Sequence, residues 1–351
     1  MEPKLIDGSF GEGGGSILRL ASGFSVLKQI PIRVKKIRAN RKKPGLRLQH
    51  LRGLQLLENL TGGSLSRSEV GTTEIEFNPG KFFKKNLSIN IETAGNIALL
   101  LQPVQIACMG LERGDKVSLK IKGGGTFGKW APGTVFLENT LLKIFETCGY
   151  KIEFTVNRHG FYPKGGAQVE CVFHSLGYPL KPISFVELGR ITQVKGKIVC
   201  ADTLKKPQVA ERIKNTIKSV IKQKLNFDCD IHQEYVKAYS TGVGLCIWAE
   251  SDTNSIISSG TILGEKGLSS ENVGKKAANA LVEYIINEIP VDNYLADQLI
   301  PLMSIACGPS EIKVREITNH LKTNLELIKL FNLGEYEINK VTNGYIVRMG
   351  I

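Results

Sequence analysis

The residues best suited by type and spacing to take part in catalysis lie near the end of the chain. Asp297 and Gln298 stand in an apolar segment, and His320 follows a predicted strand over Glu311 to Glu316, at a predicted strand-to-helix turn. Small polar residues surround this histidine: Thr318, Thr323 and Asn324. Such neighbours can fix the tautomer of the ring, which a nucleophilic imidazole requires. A lone histidine at such a turn is more often structural than catalytic, but these neighbours make His320 a candidate nucleophile.

A glycine-rich segment near the start of the chain is the second candidate. Residues 11–15 are four glycines and Glu12, and a predicted helix over 17–28 follows. This much glycine destabilises regular structure, so we expect another group to approach the backbone closely. A loop that leads into a helix N-terminus presents free N–H groups to an anion, and Arg19 lies on the first turn. We interpret Glu12 and Arg19 as functional; a tight turn without a ligand is the alternative.

A basic segment from Arg38 to His50 follows a predicted strand over Ile32 to Ile37. The guanidinium group presents a fork of donors that matches phosphate oxygens. The segment contains Pro44-Gly45 at a strand-to-helix junction, where loops often carry functional groups. We therefore expect Arg38 and Arg41 to contact phosphate, although a solvated run of charge would look the same.

Two polar features farther along have a functional and a structural explanation. Gln102 lies in the middle of an apolar helix predicted over Ile97 to Met109, so its amide either bonds within the core or contacts a ligand. The connection from Arg158 to Gly166 combines aromatic and cationic residues. It either binds a nucleic-acid strand by stacking and charge or forms a hairpin with a local core.

Composition restricts the class of partner. The 351 residues carry a net charge of +13, with 42% hydrophobic residues and a pI of about 9.3. This excess predicts a soluble protein with a polyanionic partner such as nucleic acid. No Walker-type, zinc-ligand, Ser-His-Asp or hydride-cofactor pattern stands out.

Cysteine usage and hydropathy predict the compartment. The seven cysteines are odd in number, form no C-x-x-C pair and stand singly in apolar runs. They are typical of reduced core thiols in a cytoplasmic protein. We see no signal peptide, and the longest apolar run, Ile97 to Met109, is too short to span a bilayer.

An internal repeat predicts the domain organisation. A helix, a glycine and two predicted strands recur around Gly62, Gly149 and Gly334. Regular recurrence indicates one structural unit used several times. The second interval is roughly twice the first, which predicts an insertion between the second and third units. We therefore expect a large α/β (α+β) domain over 1–183 and 282–351 and a small inserted α/β domain over 184–281.

Several segments together resemble the RNA 3'-terminal phosphate cyclase family. They are Asp7-Gly8-Ser9 with 11–15, Ile37-Arg38 with Arg41, Pro44-Gly45-Leu46 with Gln49-His50, Arg158 to Pro163, Ala296 to Leu299, and His320 with Thr323-Asn324. They follow the family's order over nearly the whole chain. Each segment alone is a weak signal, whereas the combination is highly specific.

The resemblance implies a fold of βαβαββ-type units with a smaller inserted domain, and an ATP-dependent reaction. A histidine becomes adenylylated, AMP passes to an RNA 3'-phosphate, and the neighbouring 2'-hydroxyl closes a 2',3'-cyclic phosphate. His320 is then the nucleophile, assisted by Glu12, Arg19 and Arg41. Arg38, Arg41, Gln49 and His50 would bind the RNA end. Glu12 and Asp297 would bind Mg²⁺ or Mn²⁺.

The nucleotide pocket that the resemblance implies has nine residues: Gln102, Pro132, Phe136, Asn293, Tyr294, Leu295, Ala296, Asp297 and Gln298. Three positions depart from the family pattern. Phe127 and Val135 stand where the family usually has acidic residues, and Ser16 stands where it often has glutamine.

Two other functions are compatible with much of this pattern. One is a cyclase-like scaffold that binds RNA in ribosomal RNA processing without catalysis, and the other is an enolpyruvyl-transferase-like enzyme. The first lacks the histidine and the second does not need one, so His320 favours the cyclase. A homodimer is left open.

Overall fold

The computed structural model describes residues 2–177 and 179–350, and its first part is a βαβαββ unit. The elements are β1 (Lys4–Asp7), α1 (Gly15–Lys28), β2 (Ile32–Lys35), α2 (Leu48–Thr61), β3 (Ser64–Leu65) and β4 (Ile75–Asn78). The sheet order is β1-β2-β4-β3. β1 and β2 are parallel, and the other pairs are antiparallel.

The second unit repeats this order. It contains β5 (Asn86–Asn96), α3 (Ile97–Cys108), β6 (Lys116–Gly125), α4 (Thr134–Phe136), a π-helical turn (Leu137–Leu141), α5 (Leu142–Cys148), β7 (Ile152–Arg158) and β8 (Gln168–His174). The sheet order is β5-β6-β8-β7, again with one parallel pair followed by two antiparallel pairs.

A further sheet interrupts the third unit directly after its first strand, β9 (Ser184–Phe185). The inserted elements are β10 (Ile191–Ala201), a 3₁₀ turn (Asp202–Leu204), α6 (Val209–Leu225), β11 (Asp230–Val236), β12 (Val243–Ser251), β13 (Ile256–Ser258), β14 (Ile262–Leu263) and α7 (Ser270–Ile286). The order is β11-β10-β12-β13, and β14 also pairs with β12.

The third unit then resumes with α8 (Asn293–Met303), β15 (Ser310–Val314), α9 (Asn319–Leu330), β16 (Tyr336–Val341) and β17 (Gly344–Met349). Its order is β9-β15-β17-β16, which matches the first two units. Parallel strands need a crossover, and here the crossover from β9 to β15 contains the inserted sheet as well as α8. The predicted fold class of repeated units with an inserted α/β sheet is confirmed. The domain division at 184 and 281 stays a prediction, and α7 continues past residue 281.

Two hydrophobic cores support these sheets. The larger core draws buried side chains from all three units, and the smaller one lies within the inserted sheet and its two helices. Trp248 and Cys246 of β12 belong to the larger core, so the inserted sheet packs on the rest of the protein. At the α1–α3 contact, a Cβ on Gly23 would lie 2.8 Å from Ile106 Cβ. This close approach places Arg19 of α1 beside Gln102 of α3.

The structure corrects one predicted strand boundary and the role of one glycine. The strand expected to reach Ile37 ends at Lys35, because Lys36 takes a positive φ of 51°. The glycines of the repeat also differ in role. Gly62 and Gly149 cap α2 and α5 in the left-handed region, whereas the C-cap of α9 is Phe331 rather than Gly334.

Within residues 2–177 and 179–350, none of the helices combines the length and apolar character that a membrane span requires. All seven cysteines are free, and only Cys307 is exposed.

Candidate active site

His320 lies in the first turn of α9, which confirms its predicted place at a strand-to-helix turn. Thr318 caps this helix by accepting a hydrogen bond from the Leu321 N–H at 3.0 Å. The His320 side chain is 46% exposed, and its Nδ1 lies 2.5 Å from Glu12 Oε2. The Glu12 carboxylate is only 12% exposed, so an otherwise buried acceptor faces one nitrogen of the imidazole. The remaining nitrogen, Nε2, is left for chemistry.

The glycine-rich loop positions Glu12. A Cβ on Gly11 would lie 2.3 Å from Thr323 Oγ1, and the Glu12 N–H donates to the same oxygen at 3.4 Å. Gly13 packs equally closely against the Asn40 amide. No side chain caps α1, so N–H groups of its first turn stay available to an anion. The loop therefore has two tasks, the close approach to α9 and the exposure of a helix N-terminus.

Arg19 and His50 lie next to that N-terminus. A Cβ on Gly15 would approach His50 Nε2 at 2.5 Å and Arg19 Nη1 at 2.8 Å. Burial, followed by the charge of Arg38, lowers the pKa of Arg19 to about 10. Burial and three neighbouring arginines keep the pKa of His50 well below 6.5, so this ring is neutral. Its Nδ1 accepts a hydrogen bond from the Arg47 N–H at 3.1 Å, so Nε2 carries the proton and is a donor.

The other predicted phosphate ligands divide into two groups. Arg41 forms an ion pair with Glu12 and so reaches the histidine site. Arg38 instead donates to the carbonyl oxygens of Lys43 at 2.7 Å and Gly45 at 3.0 Å. Both bonds use Nη1, so Arg38 stabilises the basic loop while its charge acts on Arg19 and His50; contact of Arg38 with phosphate stays a prediction.

Gln49 joins the first unit to the second. Its Oε1 accepts a hydrogen bond from the Asn96 N–H at 3.2 Å, where β5 ends. The amide nitrogen of Gln49 is not used in that bond. Gln49 thus fixes the segment that precedes α3 and keeps a donor for a ligand.

A cavity of about 450 Å³ opens in front of His320. Among the residues predicted for the nucleotide pocket, its wall contains Gln102, Pro132, Phe136, Asn293, Tyr294, Asp297 and Gln298. Leu295 and Ala296 are not part of the wall. They are buried in the larger core, because they lie on the opposite face of α8. The two glutamines are connected, since Gln102 Nε2 donates to Gln298 Oε1 at 3.3 Å and Arg19 Nε donates to Gln102 Oε1 at 2.7 Å.

The cavity is also lined by residues that the sequence did not identify. They include Lys129 and Trp130 from the second unit, and Thr261, Glu265 and Lys276 from the inserted segment between β10 and the end of α7. No periodicity or spacing relates the inserted sheet to His320, so only the packing of that sheet on the large core could reveal them.

Asp297 is the buried acidic residue that lines the cavity next to His320. Burial raises its pKa to about 7, while His320 and a hydrogen bond from Thr318 oppose the shift. The Thr318 hydroxyl lies 3.3 Å from Asp297 Oδ1. Burial also lowers the pKa of His320, as do Arg19 and Arg41, whereas Asp297 acts in the opposite direction. A neutral imidazole therefore stands between a carboxylate and guanidinium groups.

Comparison with known proteins agrees with this geometry. The family described as "RNA 3'-terminal phosphate cyclase" matches the chain over residues 10–338. The chain belongs to the RNA 3'-terminal phosphate cyclase family. The prediction from the sequence motifs is thus confirmed.

Relatives named RNA 3'-terminal phosphate cyclase occur in several archaea. The protein of Thermococcus gammatolerans is 36% identical over 96% of this chain and 95% of its own. The protein of Pyrococcus abyssi is 38% identical over 93% and 92% of the two chains. An alignment with a solved structure, the enolpyruvyl transferase NikO from Streptomyces tendae, spans 99% of this chain and 81% of the NikO chain. Its sequence identity is 10% and its TM-score 0.23, a likeness that carries no argument.

In this cyclase-family chain, few side chains near His320 could act as ligands of a divalent cation. The described residues contain no cluster of three or more His, Cys, Asp or Glu side chains that could hold a metal. Glu12 and Asp297 are nevertheless two carboxylates beside one histidine, and Glu12 Oε2, which contacts His320 Nδ1, has no other polar partner among the described residues. Mg²⁺ commonly takes one or two carboxylates and completes its shell with substrate phosphates and water. The two residues fit that kind of site.

Asp292 is a further residue of the cyclase-family site that sequence reasoning missed. It is fully buried, and its Oδ1 caps α8 by accepting from Tyr294 N at 3.0 Å and Leu295 N at 2.9 Å. Its Oδ2 accepts from the N–H and hydroxyl of Ser258 in β13, both at 2.9 Å. One carboxylate therefore fixes α8 against the inserted sheet. An Asp directly before a helix is a recognised N-cap signal, but its bond to β13 is not visible in the sequence.

Proposed function

We propose that this protein uses ATP to convert an RNA 3'-terminal phosphate to a 2',3'-cyclic phosphate, through a covalent His320–AMP intermediate. The observation that carries the proposal is the contact between His320 Nδ1 and Glu12 Oε2 at the mouth of a cavity large enough for a nucleotide. It leaves Nε2 as the nucleophile. Family membership supports the overall reaction, and the intermediate is inferred from the geometry.

In the first step, His320 Nε2 attacks the α-phosphorus of ATP. A P–N bond forms, the bond to the bridging oxygen breaks and pyrophosphate leaves. The imidazole becomes cationic, and Glu12 stabilises that charge through the Nδ1–H. Arg19 neutralises negative charge that develops on the phosphate oxygens.

In the second step, an oxygen of the RNA 3'-phosphate attacks the phosphorus of AMP and the P–N bond breaks. Arg41, the Nε2–H of His50 and the free N–H groups of α1 are the donors that would bind this phosphate. Transfer of AMP turns an unreactive dianion into an anhydride with a good leaving group. In the third step, the 2'-hydroxyl loses its proton and attacks the activated phosphorus, and AMP departs.

The remaining predicted residues have supporting roles. Pro132, Phe136 and Tyr294 supply apolar wall for the base, while Gln102, Asn293 and Gln298 supply polar atoms. A divalent cation, Mg²⁺ or Mn²⁺, would neutralise charge on the phosphates when bound. Glu12 and Asp297 would hold it. A cytoplasmic location and a homodimer stay predictions.

The alternatives place different demands on the site. An RNA-binding scaffold without catalysis needs no carboxylate on His320, and an enolpyruvyl transferase needs no nucleophile. A neutral histidine with a buried acceptor on one nitrogen favours covalent catalysis over both.

The test is transfer of radiolabel from α-labelled ATP to the protein in the presence of Mg²⁺ or Mn²⁺. We expect an acid-labile, base-stable adenylate on the wild type and none on His320→Ala. His232→Ala, which removes an exposed histidine of β11, is the matched control and should label normally. Label retained by His320→Ala would remove the assignment. In the second arm, the end of a 3'-phosphorylated oligonucleotide should become resistant to phosphatase only when ATP is present.

A further inference from the structure

The connection between β7 and β8 has no part in the proposed mechanism, yet it displays an aromatic side chain to solvent. Tyr162 is 80% exposed at the tip of this connection. Lys164 is exposed two residues later. Tyr239, on the adjoining turn between β11 and β12, is 58% exposed. We call Tyr162, Lys164 and Tyr239 the aromatic surface.

The aromatic surface is built on a fixed support. Arg158 Nε donates to the Gly166 carbonyl at 2.6 Å and its Nη1 donates to the Tyr239 hydroxyl at 2.9 Å. The same guanidinium lies 4.6 Å from the centroid of the Tyr239 ring. The Lys164 N–H donates to Ser240 Oγ at 3.1 Å. Two hydrogen bonds and one cation–π contact therefore join the connection to the turn between β11 and β12.

A buried ring anchors the same connection from below. Phe161 stacks on Phe127 at a centroid distance of 5.6 Å and an interplanar angle of 5°. Because Phe161 is buried and fixed, its neighbour Tyr162 is presented to solvent by an anchored stretch of backbone. Less backbone entropy is lost when a side chain on an anchored segment binds a ligand.

Packing links this surface to the phosphate side of the active site. Gln49 bonds to Asn96, and its Cβ lies 3.4 Å from where a Cβ on Gly95 would be. At the other end of the same segment, a Cβ on Gly165 would lie 3.0 Å from both Ala94 Cα and the Thr93 carbonyl oxygen. Segment 93–96 therefore separates Gln49 from the β7–β8 connection by one layer of chain. A strand that enters the site past Gln49 would reach the aromatic surface by crossing this segment.

Further cationic side chains lie next to the aromatic surface. A cavity of about 590 Å³ opens beside Arg158 between β7 and β11, and Lys197 and Lys237 also line it. Its acidic residues are Glu138 and Glu234, and Glu234 forms an ion pair with Lys197 at 3.2 Å. Positive side chains outnumber the carboxylates, which suits a polyanion.

We propose that the aromatic surface binds the RNA strand upstream of the 3'-terminal phosphate, with a base stacked on Tyr162 and a backbone phosphate beside Lys164. This inference rests on the proposed function, because it extends the site that receives the RNA end. Stacking on an aromatic ring combined with a nearby cation is how proteins bind single strands without reading their sequence. The net charge of +13 favours a polyanion over a neutral or basic peptide.

The experiment compares KM for a 3'-phosphorylated dinucleotide with KM for an oligonucleotide of about twelve nucleotides. We expect the wild type to have the lower KM for the longer RNA. Tyr162→Ala should raise that KM about tenfold, a loss typical of one stacked base, and leave the dinucleotide KM unchanged. Tyr162→Phe should restore the difference. Lys164→Ala should reduce the dependence of log KM on log salt concentration by about 0.7.

Two controls separate this proposal from folding and from the reaction. Phe83→Ala removes a ring that is 60% exposed in the first unit and should have no effect on either KM. Labelling by ATP without RNA should be normal in every variant. If labelling fails in the wild type, the covalent mechanism is wrong. The aromatic surface can still be tested by fluorescence anisotropy, because Tyr162→Ala should bind a labelled oligonucleotide more weakly than the wild type.

Equal KM values for the two RNAs in the wild type would overturn the proposal. A rise in KM in Tyr162→Ala that is equal for the dinucleotide and the longer RNA would also overturn the proposal. If sedimentation instead shows that Tyr162→Ala dissociates an oligomer without affecting RNA, the surface is a contact between copies of the chain.

Discussion

The Nδ1 atom of His320 lies 2.5 Å from Oε2 of Glu12, and this contact joins the third unit of the fold to the first. Glu12 comes from the glycine-rich loop before α1, and His320 from the first turn of α9. An acceptor on Nδ1 places the lone pair on Nε2, which is the state a nucleophilic imidazole needs. The contact exists only because Gly11 has no side chain between the loop and Thr323.

Removal of that acceptor should slow adenylylation. We expect Glu12→Ala to reduce the rate of label transfer from ATP about a hundredfold, within the range that a positioned acid–base partner contributes. Glu12→Gln keeps one oxygen acceptor, so its rate of label transfer should lie between the rates of the wild type and Glu12→Ala. Glu170→Ala, at an exposed position of β8, is the control. A wild-type rate in Glu12→Ala would mean that the carboxylate does not orient the ring.

The pH dependence of label transfer should identify the titrating group. The pKa of His320 is lowered below 6.5 by burial and by Arg19 and Arg41, so the ring is neutral and nucleophilic at pH 7 and becomes protonated only in more acidic solution. The single-turnover rate should therefore stay constant from about pH 8 to about 6.5 and fall below that range. A midpoint near 7 that disappears in Asp297→Asn would instead report Asp297, whose pKa is raised to about 7.

Arg41 and Arg38 should respond differently to replacement by alanine. Arg41 reaches the site through Glu12, so Arg41→Ala should weaken binding of 3'-phosphorylated RNA about tenfold and leave binding of 3'-hydroxyl RNA nearly unchanged. Arg38 donates to two carbonyl groups of its own loop, so Arg38→Ala should mainly lower the melting temperature. Fluorescence anisotropy and thermal denaturation measure the two effects. Equal losses on both RNAs in Arg41→Ala would assign Arg41 to the RNA backbone.

Asp292 should matter for stability and for the geometry of the cavity. Asp292→Ala removes the cap of α8 and leaves buried donors of Ser258 without an acceptor, which should cost about 2–3 kcal/mol of unfolding free energy. Removing the buried charge offsets part of this cost, since burial already raises the Asp292 pKa to about 6. Urea denaturation measures the loss. Ser258→Ala removes one of the four bonds and should cost less; a larger loss than in Asp292→Ala would contradict this account.

The repeated units were predictable from the sequence because their signals are local. A helix that ends at a left-handed glycine and two following strands recur at Gly62 and Gly149. The third copy was found from Gly334, although the C-cap of α9 is Phe331, three residues earlier, so the repeat was recognised despite a shifted glycine. The motif at the start of α8 was less decisive. It predicted six adjacent pocket residues, and Leu295 and Ala296 face the core because a helix turns successive side chains through different directions.

The sequence by itself determined the family, the repeated fold class and His320 as the candidate nucleophile, since these depend on residue types and short spacings along the chain. Tertiary structure decided which groups meet. Glu12 contacts His320, Arg38 donates to its own loop, Asp292 accepts hydrogen bonds from β13, and the inserted segment lines the cavity with Thr261 and Lys276. These contacts join residues that are far apart in the chain. They depend on how the three units and the inserted sheet pack together, and no local pattern encodes that packing.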